Sequence, residues 1–236
     1  TSDQQASLIA NLTTQIDTEE TLFSHDLWMA LDRTRYMQSA KTFVMVDRPF
    51  WKDKDPVTGH DTMSMTLTDR MTRGTYLFDN GPDKPSVICL SYAWMTAALK
   101  VLPLPVEQRV ELALSSLSKI YPNVDIVSHI VGDPITVSWE ADSNFLGAFK
   151  GALPGHYRYN HRMFGHFMQA DMPAAERGIF IAGDGISWTP AWVEGAVQTA
   201  VNAVAGIITH FGGSTTPDNP SPVDLYAQHG PIRLSA

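Results

Sequence analysis

The sequence predicts an α+β (mixed α/β) fold, on three features. Positions 41 to 138 hold several alternating or β-branched runs, the mark of strands. Helical patterns stand before and after that strand-rich middle. Near the end, "RGIFIAGDGISWTPAWVEGAVQTAVNAVAG" sets four apolar residues, Ile179 to Ala182, ahead of Gly-Asp-Gly and a long Ala- and Val-rich stretch. That order reads as strand, glycine turn and helix.

Leu8 to Leu31 has loose helical periodicity through Leu8, Leu12, Ile16, Leu27 and Leu31. "KTFVMVDRPFW" alternates from Lys41 and reads as a strand ending at Pro49. After a polar turn region, Met63 to Asp69 alternates as a second strand. "GTYLFDNGPDKPS" holds a strand and an Asn80-Gly81 turn. Ser86 to Trp94 reads as a buried strand. "PVEQRVELALSSLSKIYP" predicts an amphipathic helix with Val106, Val110, Leu114 and Leu117 on one face and Pro122 as its stop. "DIVSHIVGDPITVSW" gives a further strand. Phe145 to Pro173, rich in Gly, His, Tyr and Met, reads as irregular. Arg177 to Ala182 is the last expected strand and Pro190 to His210 the last expected helix, followed by an extended tail.

The chain has 236 residues, room for one large domain or two small ones. Its 44% hydrophobic and 18% charged content is ordinary for a globular protein. A net charge of −8 argues against nucleic acid or an anionic membrane as a main partner, since both select a basic face. The single cysteine, Cys89, excludes an internal disulfide and suits a reducing compartment. No apolar run approaches a membrane span and no signal-peptide pattern opens the chain, so a cytoplasmic location is expected. The opening, "TSDQQASLIANLTTQIDTEETL", has no Met and starts inside a helix-like pattern. It points to a fragment, a processed chain or a subunit, with ordinary Met removal as the alternative. His156, His161 and His166 lie at intervals of five with no Cys or carboxylate to complete a ligand set, so no metal is expected.

In the closing unit, Gly183 and Gly185 flank Asp184 and permit a tight turn with close backbone approach. Pro190 suits a first helical position. Beyond it Val193, Ala196, Val197, Ala200, Val201 and Val204 form an apolar face, and Gly195, Ala203 and Gly206 let another backbone or a ring come near. A helix N-terminus there favours an anion or an electron-rich carbonyl, and Trp188 and Trp192 could wall a flat ligand. A packed helix with aromatic staples accounts for the same residues equally well. The phosphate fingerprint Gly-x-Gly-x-x-Gly is missing, because Trp188 stands where its third glycine belongs.

"IFIAGDGISWTPAWVEGAVQTAVNAV" resembles the C-terminal signature of the FAD-dependent amine and amino-acid oxidases. The resemblance implies FAD, with Gly183 and Asp184 toward its ribityl-phosphate part and the backbone at Trp192 and Val193 against the flavin pyrimidine edge. Three further segments follow the family's order. "SAKTFVMVDRPFW" resembles the segment whose lysine holds a water near flavin N5, which makes Lys41 the catalytic candidate, although a lysine opening a strand is ordinarily just solvated. "SWEADSNFLGAFKGALPGH" resembles the segment beneath the flavin: Trp139 and Ala148 fall on the cofactor side, and Phe149 and Trp192 are implied as the two aromatic walls around the substrate amine. Trp139 serves equally as a plain core residue. Ala148 occupies the position where some members carry a covalently linked Cys, so FAD is expected to be noncovalent. "CLSYAWMTAA" resembles the amino-acid oxidase branch, where Tyr92, with Trp94 on the same strand face, would meet the substrate carboxylate.

The likeness favours the bacterial L-lysine and L-phenylalanine oxidase/monooxygenase branch, lysine-like substrates first. It implies oxidation of an L-amino acid by O2 to an imino or keto acid, ammonia and H2O2, or oxidative decarboxylation to the amide. It further implies a helical segment of the substrate domain at 1–40, the substrate-domain sheet and helix at 41–150, a return to the FAD domain at 151–213 and a tail at 214–236. The glycine fingerprint and the carboxylate-binding arginine would lie on an N-terminal chain, and the assembled unit would be a homodimer. An amine or polyamine oxidase, or a noncatalytic binding subunit using the Trp-rich groove, are the alternatives.

Overall fold

The computed structural model describes residues 24–145, 147–169, 177–214, 216 and 218. Most of the Leu8–Leu31 helical reading and nearly all of the tail therefore fall outside the described residues. The chain divides into two compact units, 37–148 and 1–36 with 149–236.

The 37–148 unit is built on an antiparallel sheet. Its strands are β2 (Ser39–Val46), β3 (Thr66–Leu67), β4 (Gly74–Phe78), β5 (Ser86–Trp94) and β6 (Ile130–Ser138), in the order β3-β4-β5-β2-β6. β5 has a partner on each side, which is why its apolar run is nearly continuous. β6 is an edge strand, the place where Pro134 costs no ladder hydrogen bond. Helix α3 (Val106–Ile120) packs on β2, β5 and β6, and a short helix α2 (Thr96–Val101), not legible in the sequence, precedes it. The core holds Val44, Val46, Phe50, Trp51, Ile88, Leu90, Ala113 and Leu117.

Two strand readings shrink in this unit. β2 stops at Val46, and Phe50–Lys52 turns as a 3-10 helix behind Pro49, which has no N–H to extend a ladder. In the alternating stretch from Met63 only Thr66 and Leu67 pair with a neighbour. The buried line of α3 is Arg109, Ala113 and Leu117, with Val110 and Leu114 half-buried beside it.

β5 carries the feature that positions the site. Thr42 pairs with Ser91 but Phe43 pairs with Cys89, so Leu90 is an extra residue, a β-bulge. The same slip recurs against β4, where Gly74 faces Tyr92 and Tyr76 faces Cys89. Strict alternation would put Tyr92 and Trp94 on the core face with Ile88 and Leu90. The bulge moves them to the opposite face, where Lys41 stands.

In the other unit, helix α1 (His25–Asp32) packs on α4 (Tyr157–Phe164), and β1 (Arg35–Met37) pairs with β7 (Phe149–Gly151). Ser24 caps α1 through the Leu27 N–H. Leu27, Ala30, Met163 and Ile186 form its core. Helix α4 corrects the irregular reading of Phe145–Pro173. Its buried residues Asn160, Met163 and Phe164 follow helical spacing inside a polar, His- and Arg-rich run that hides the pattern.

The expected strand at Arg177–Ala182 is also corrected, because no strand forms over those residues. A strand needs a ladder, and here side chains take its place. Gln169 donates to the Ile179 carbonyl at 2.8 Å and accepts the Gly178 N–H at 2.8 Å. The fully buried His166 ring bonds the same Ile179 carbonyl at 2.9 Å. The final helix, α5, runs Val193–His210 and begins three residues later than expected at Pro190. Ala191 causes the delay: it sits at φ 69 and gives its N–H to Asp184 Oδ2 at 2.9 Å, outside any helix.

Candidate functional site

In the 37–148 unit, Lys41, Tyr92 and Trp94 come together. Lys41 and Tyr92 are cross-strand partners in β2 and β5. The Lys41 ammonium stands 4.4 Å from the centre of the Tyr92 ring, a cation–π distance. The Tyr92 and Trp94 rings meet edge-on at 5.0 Å. Lys41 and Tyr92 are half-buried and Trp94 is 42% exposed, so the cluster opens to one side. Cys89 lies beneath it; burial pushes its thiol up to about 11, against the opposing charge of Lys41, which makes it an inert core group. The arrangement offers an ammonium, a phenol O–H and an aromatic wall on one sheet face, suited to a small anionic, partly apolar molecule.

Buried polar bonds hold that sheet in shape. Arg109 is 8% exposed and donates to the Leu104 and Leu102 carbonyls and to the Thr136 and Ser138 hydroxyls, at 2.8–2.9 Å. Burial lowers its pKa and the Glu140 charge opposes that. Its readable signal was its place four residues before Ala113 and eight before Leu117, on the core face of α3. Trp139 is half-buried in a 3-10 turn and meets the Phe145 ring edge-on at 4.8 Å. Ala148 is half-buried, with its N–H on the Met37 carbonyl at 2.8 Å.

In the other unit, Gly183 has φ 135, a conformation closed to side chains, and opens the 3-10 turn Asp184–Ile186. Thr199, 1% exposed on α5, clamps this turn: its hydroxyl accepts the Gly183 N–H at 2.9 Å and lies 3.0 Å from the Gly183 carbonyl. Gly195 on α5 is obligatory, because a Cβ there would stand 2.5 Å from the Thr189 carbonyl oxygen. Asp184 thus anchors a loop of glycines and strained backbone that leads straight into the N-terminus of α5, a cradle able to take a flat electron-rich group.

Trp192 and Val193, at that N-terminus, are 72% and 80% exposed. Trp188 differs from Trp192: it is half-buried, its ring 6.1 Å from Phe164. Phe149 is half-buried at the start of β7. Next to it Lys150, which sequence reasoning passed over because lysines are almost never buried, is 6% exposed.

The outer face of α5 is apolar and open. Val193, Val197, Val201, Val204 and Phe211 are all more than half exposed, while Gly195, Thr199, Asn202 and Gly206 are buried. The helix packs by its small residues and leaves its valines outside. Among the described residues no helix is long and apolar enough to cross a membrane.

Residues 6–208 match the family described as flavin containing amine oxidoreductase. The chain is 32% identical over 211 residues to the tryptophan 2-monooxygenase of Pseudomonas savastanoi, covering 85% of the chain and 37% of that protein. It is 26% identical over 183 residues to the L-amino-acid oxidase of Mus musculus, covering 78% of the chain and 27% of that protein. It thus spans well under half the length of these relatives. Its fold is similar to cyclohexylamine oxidase from Brevibacterium oxydans IH-35A, with a TM-score of 0.59 at 12% identity over 80% of this chain and 38% of that one. With its glycine-Asp turn leading into α5 and its family match running almost from end to end, the chain belongs to the flavin-containing amine oxidoreductase family.

Proposed function

We propose that this chain is the substrate-side and flavin-edge part of an FAD-dependent enzyme that oxidises an L-amino acid. The observation that carries the reading is the Lys41–Tyr92–Trp94 cluster: the Tyr92 phenol O–H, in an aromatic-walled patch beside a cation, suits a carboxylate-bearing substrate. The names of its relatives, tryptophan 2-monooxygenase and L-amino-acid oxidase, agree with it.

The residues fit a noncovalently held flavin. The Gly183 turn and the open start of α5 leave space for a ring and its attached chain, and Ala148 has no side chain able to form a covalent link. Gly183 and Asp184 would hold the ribityl-phosphate part, and the backbone at Trp192 and Val193 the pyrimidine edge, where the helix dipole favours negative charge. Trp139 is assigned to the cofactor side as well. The flavin supplies the two-electron oxidation of the Cα–N bond. Tyr92 donates its hydroxyl to the substrate carboxylate, with Trp94 packing beside it. Phe149 and Trp192 flank the α-amine, which reacts as the neutral base. Lys41 holds a water and moves a proton through it at the reacting face.

The N-terminal part of the protein supplies the glycine fingerprint and an arginine for the carboxylate. It covers the exposed valine face of α5, and the assembled unit is a homodimer. Lysine is the substrate the sequence likeness favours, phenylalanine the second, and tryptophan the one the relatives' names add. The product is the keto acid with ammonia and H2O2 where the imino acid escapes, and the amide where it is retained.

The test uses the full-length protein. Anaerobic addition of L-lysine, L-phenylalanine or L-tryptophan is expected to bleach its flavin spectrum, one of the three at the lowest concentration. A protein that is colourless with FAD supplied overturns the reading. Tyr92→Phe is expected to raise KM for the amino acid about tenfold, the worth of one charge-assisted hydrogen bond. An amine oxidase of the same family has no carboxylate to hold, and there the same substitution leaves kcat/KM unchanged.

A further inference from the structure

Lys150 is the middle residue of β7, and its ammonium is buried with no hydrogen-bond partner among the described residues. Three donors without an acceptor are a costly thing to bury. The turn Asp184–Ile186 packs against β7, and the Asp184 carboxylate acts on Lys150 from there. Burial lowers the Lys150 pKa to about 8, the Asp184 charge opposing that fall. Tyr36, on the paired strand β1, is a further titratable group that the Asp184 charge reaches. Burial, then the Asp184 charge, push its phenol up to about 12, so it stays neutral throughout the range in which Lys150 titrates.

The Asp184 carboxylate therefore answers to two influences, one bonded and one through space. One oxygen takes the Ala191 N–H and fixes the strained loop ahead of α5. The field of a buried cation reaches it from the β7 side. We infer that Lys150 is a positioning residue for the flavin-facing turn, the field of its buried ammonium on the adjoining strand biasing the Asp184 carboxylate toward the orientation that receives the cofactor. This rests on the flavin assignment of the turn made above. The arrangement trades stability of the cofactor-free protein for cofactor affinity, because the uncompensated ammonium burdens the empty fold and helps only when the turn is occupied.

The experiment measures FAD dissociation constants of the full-length protein by flavin fluorescence across pH, with thermal melting of the cofactor-free form. Between about pH 7 and pH 9.5 the wild-type constant is expected to rise about tenfold, its midpoint near the Lys150 pKa. Lys150→Met is expected to bind FAD about tenfold more weakly at neutral pH, to lose that pH dependence, and to melt no lower than wild type when empty. Lys150→Arg is expected to restore affinity in part and to stay pH-independent, since its guanidinium does not titrate there. A purely structural lysine gives the opposite pattern, a lower melting temperature with unchanged affinity, and overturns the inference. A wild-type affinity that is flat in pH overturns it too, without any variant, and leaves the flavin assignment standing. A wild-type protein that binds no FAD at any pH overturns both.

Discussion

Lys41 and Tyr92 work as a pair because their strands put them opposite one another, 4.4 Å from ammonium to ring. Replacing Lys41 by Met keeps the strand and removes the group proposed to carry the proton. The expected outcome is a fall of about 100-fold in the rate of flavin reduction or reoxidation, with the flavin still bound, read by stopped-flow absorbance. Lys150 differs in kind, since its charge is a burden on the fold. In the folded protein its pKa is about 8, below the ordinary lysine value of 10.5. Below about pH 8 it is charged both folded and unfolded, so the burial cost is fully present. Between those two values the unfolded chain binds more protons than the folded one, and stability rises with pH. The melting temperature of the cofactor-free protein is therefore expected to gain a rising contribution from about pH 8 upward, absent in Lys150→Met. Melting curves of the two proteins at matched ionic strength show whether the difference closes with pH. Neither residue's setting can be read from its identity: an exposed lysine and a buried one look alike in sequence.

At the scale of elements, β5 and α5 each depend on one departure from regularity. The Leu90 bulge turns Tyr92 and Trp94 to the Lys41 face. Without it the tyrosine would lie among Ile88 and Leu90, its phenol unmatched in an apolar core. Deleting Leu90 is expected to leave Tyr92 opposite Lys41, because the pairing on either side of the extra residue then becomes regular, and to cost about 2–5 kcal/mol in urea unfolding through the core side chain removed. Helix α5 is joined to the glycine turn through Thr199. Thr199→Val removes the acceptor of the Gly183 N–H within a buried site, and a loss of about 1–3 kcal/mol is expected in urea unfolding. Gly206 makes the second close approach, where a Cβ would come within 2.7 Å of the Phe167 carbonyl. Both elements were legible in part. The run Ser86–Trp94 and the helix through Val193–His210 follow from apolar pattern. The bulge has no local signature, since no Gly or Pro marks it. The Arg177–Ala182 run was misread because four apolar residues before a glycine turn look alike whether their hydrogen bonds go to a neighbouring strand or to the side chains of Gln169 and His166.

For the whole molecule, the open valine face of α5 is the dominant fact. Such a stripe on a helix marks a surface that packs against something, and the chain spans only 37% of its Pseudomonas savastanoi relative. Charges introduced there, as Val197→Asp with Val201→Asp, are expected to prevent assembly of the full-length protein with FAD while the sheet of the 37–148 unit still forms. Gel filtration with absorbance at flavin wavelengths reads this directly, and a yellow, correctly sized double variant removes the face from the interface. The sequence by itself determined the class of fold and the family, because hydrophobic period, glycine turns and motif spacing are local and survive in one dimension. Only the tertiary structure decided which face of β5 carries Tyr92, which side of α5 is buried, and that Lys150 is enclosed beside Asp184. Those depend on a bulge between paired strands, on backbones close enough to require glycine, and on a charge removed from water, and each is a relation between segments far apart in the chain.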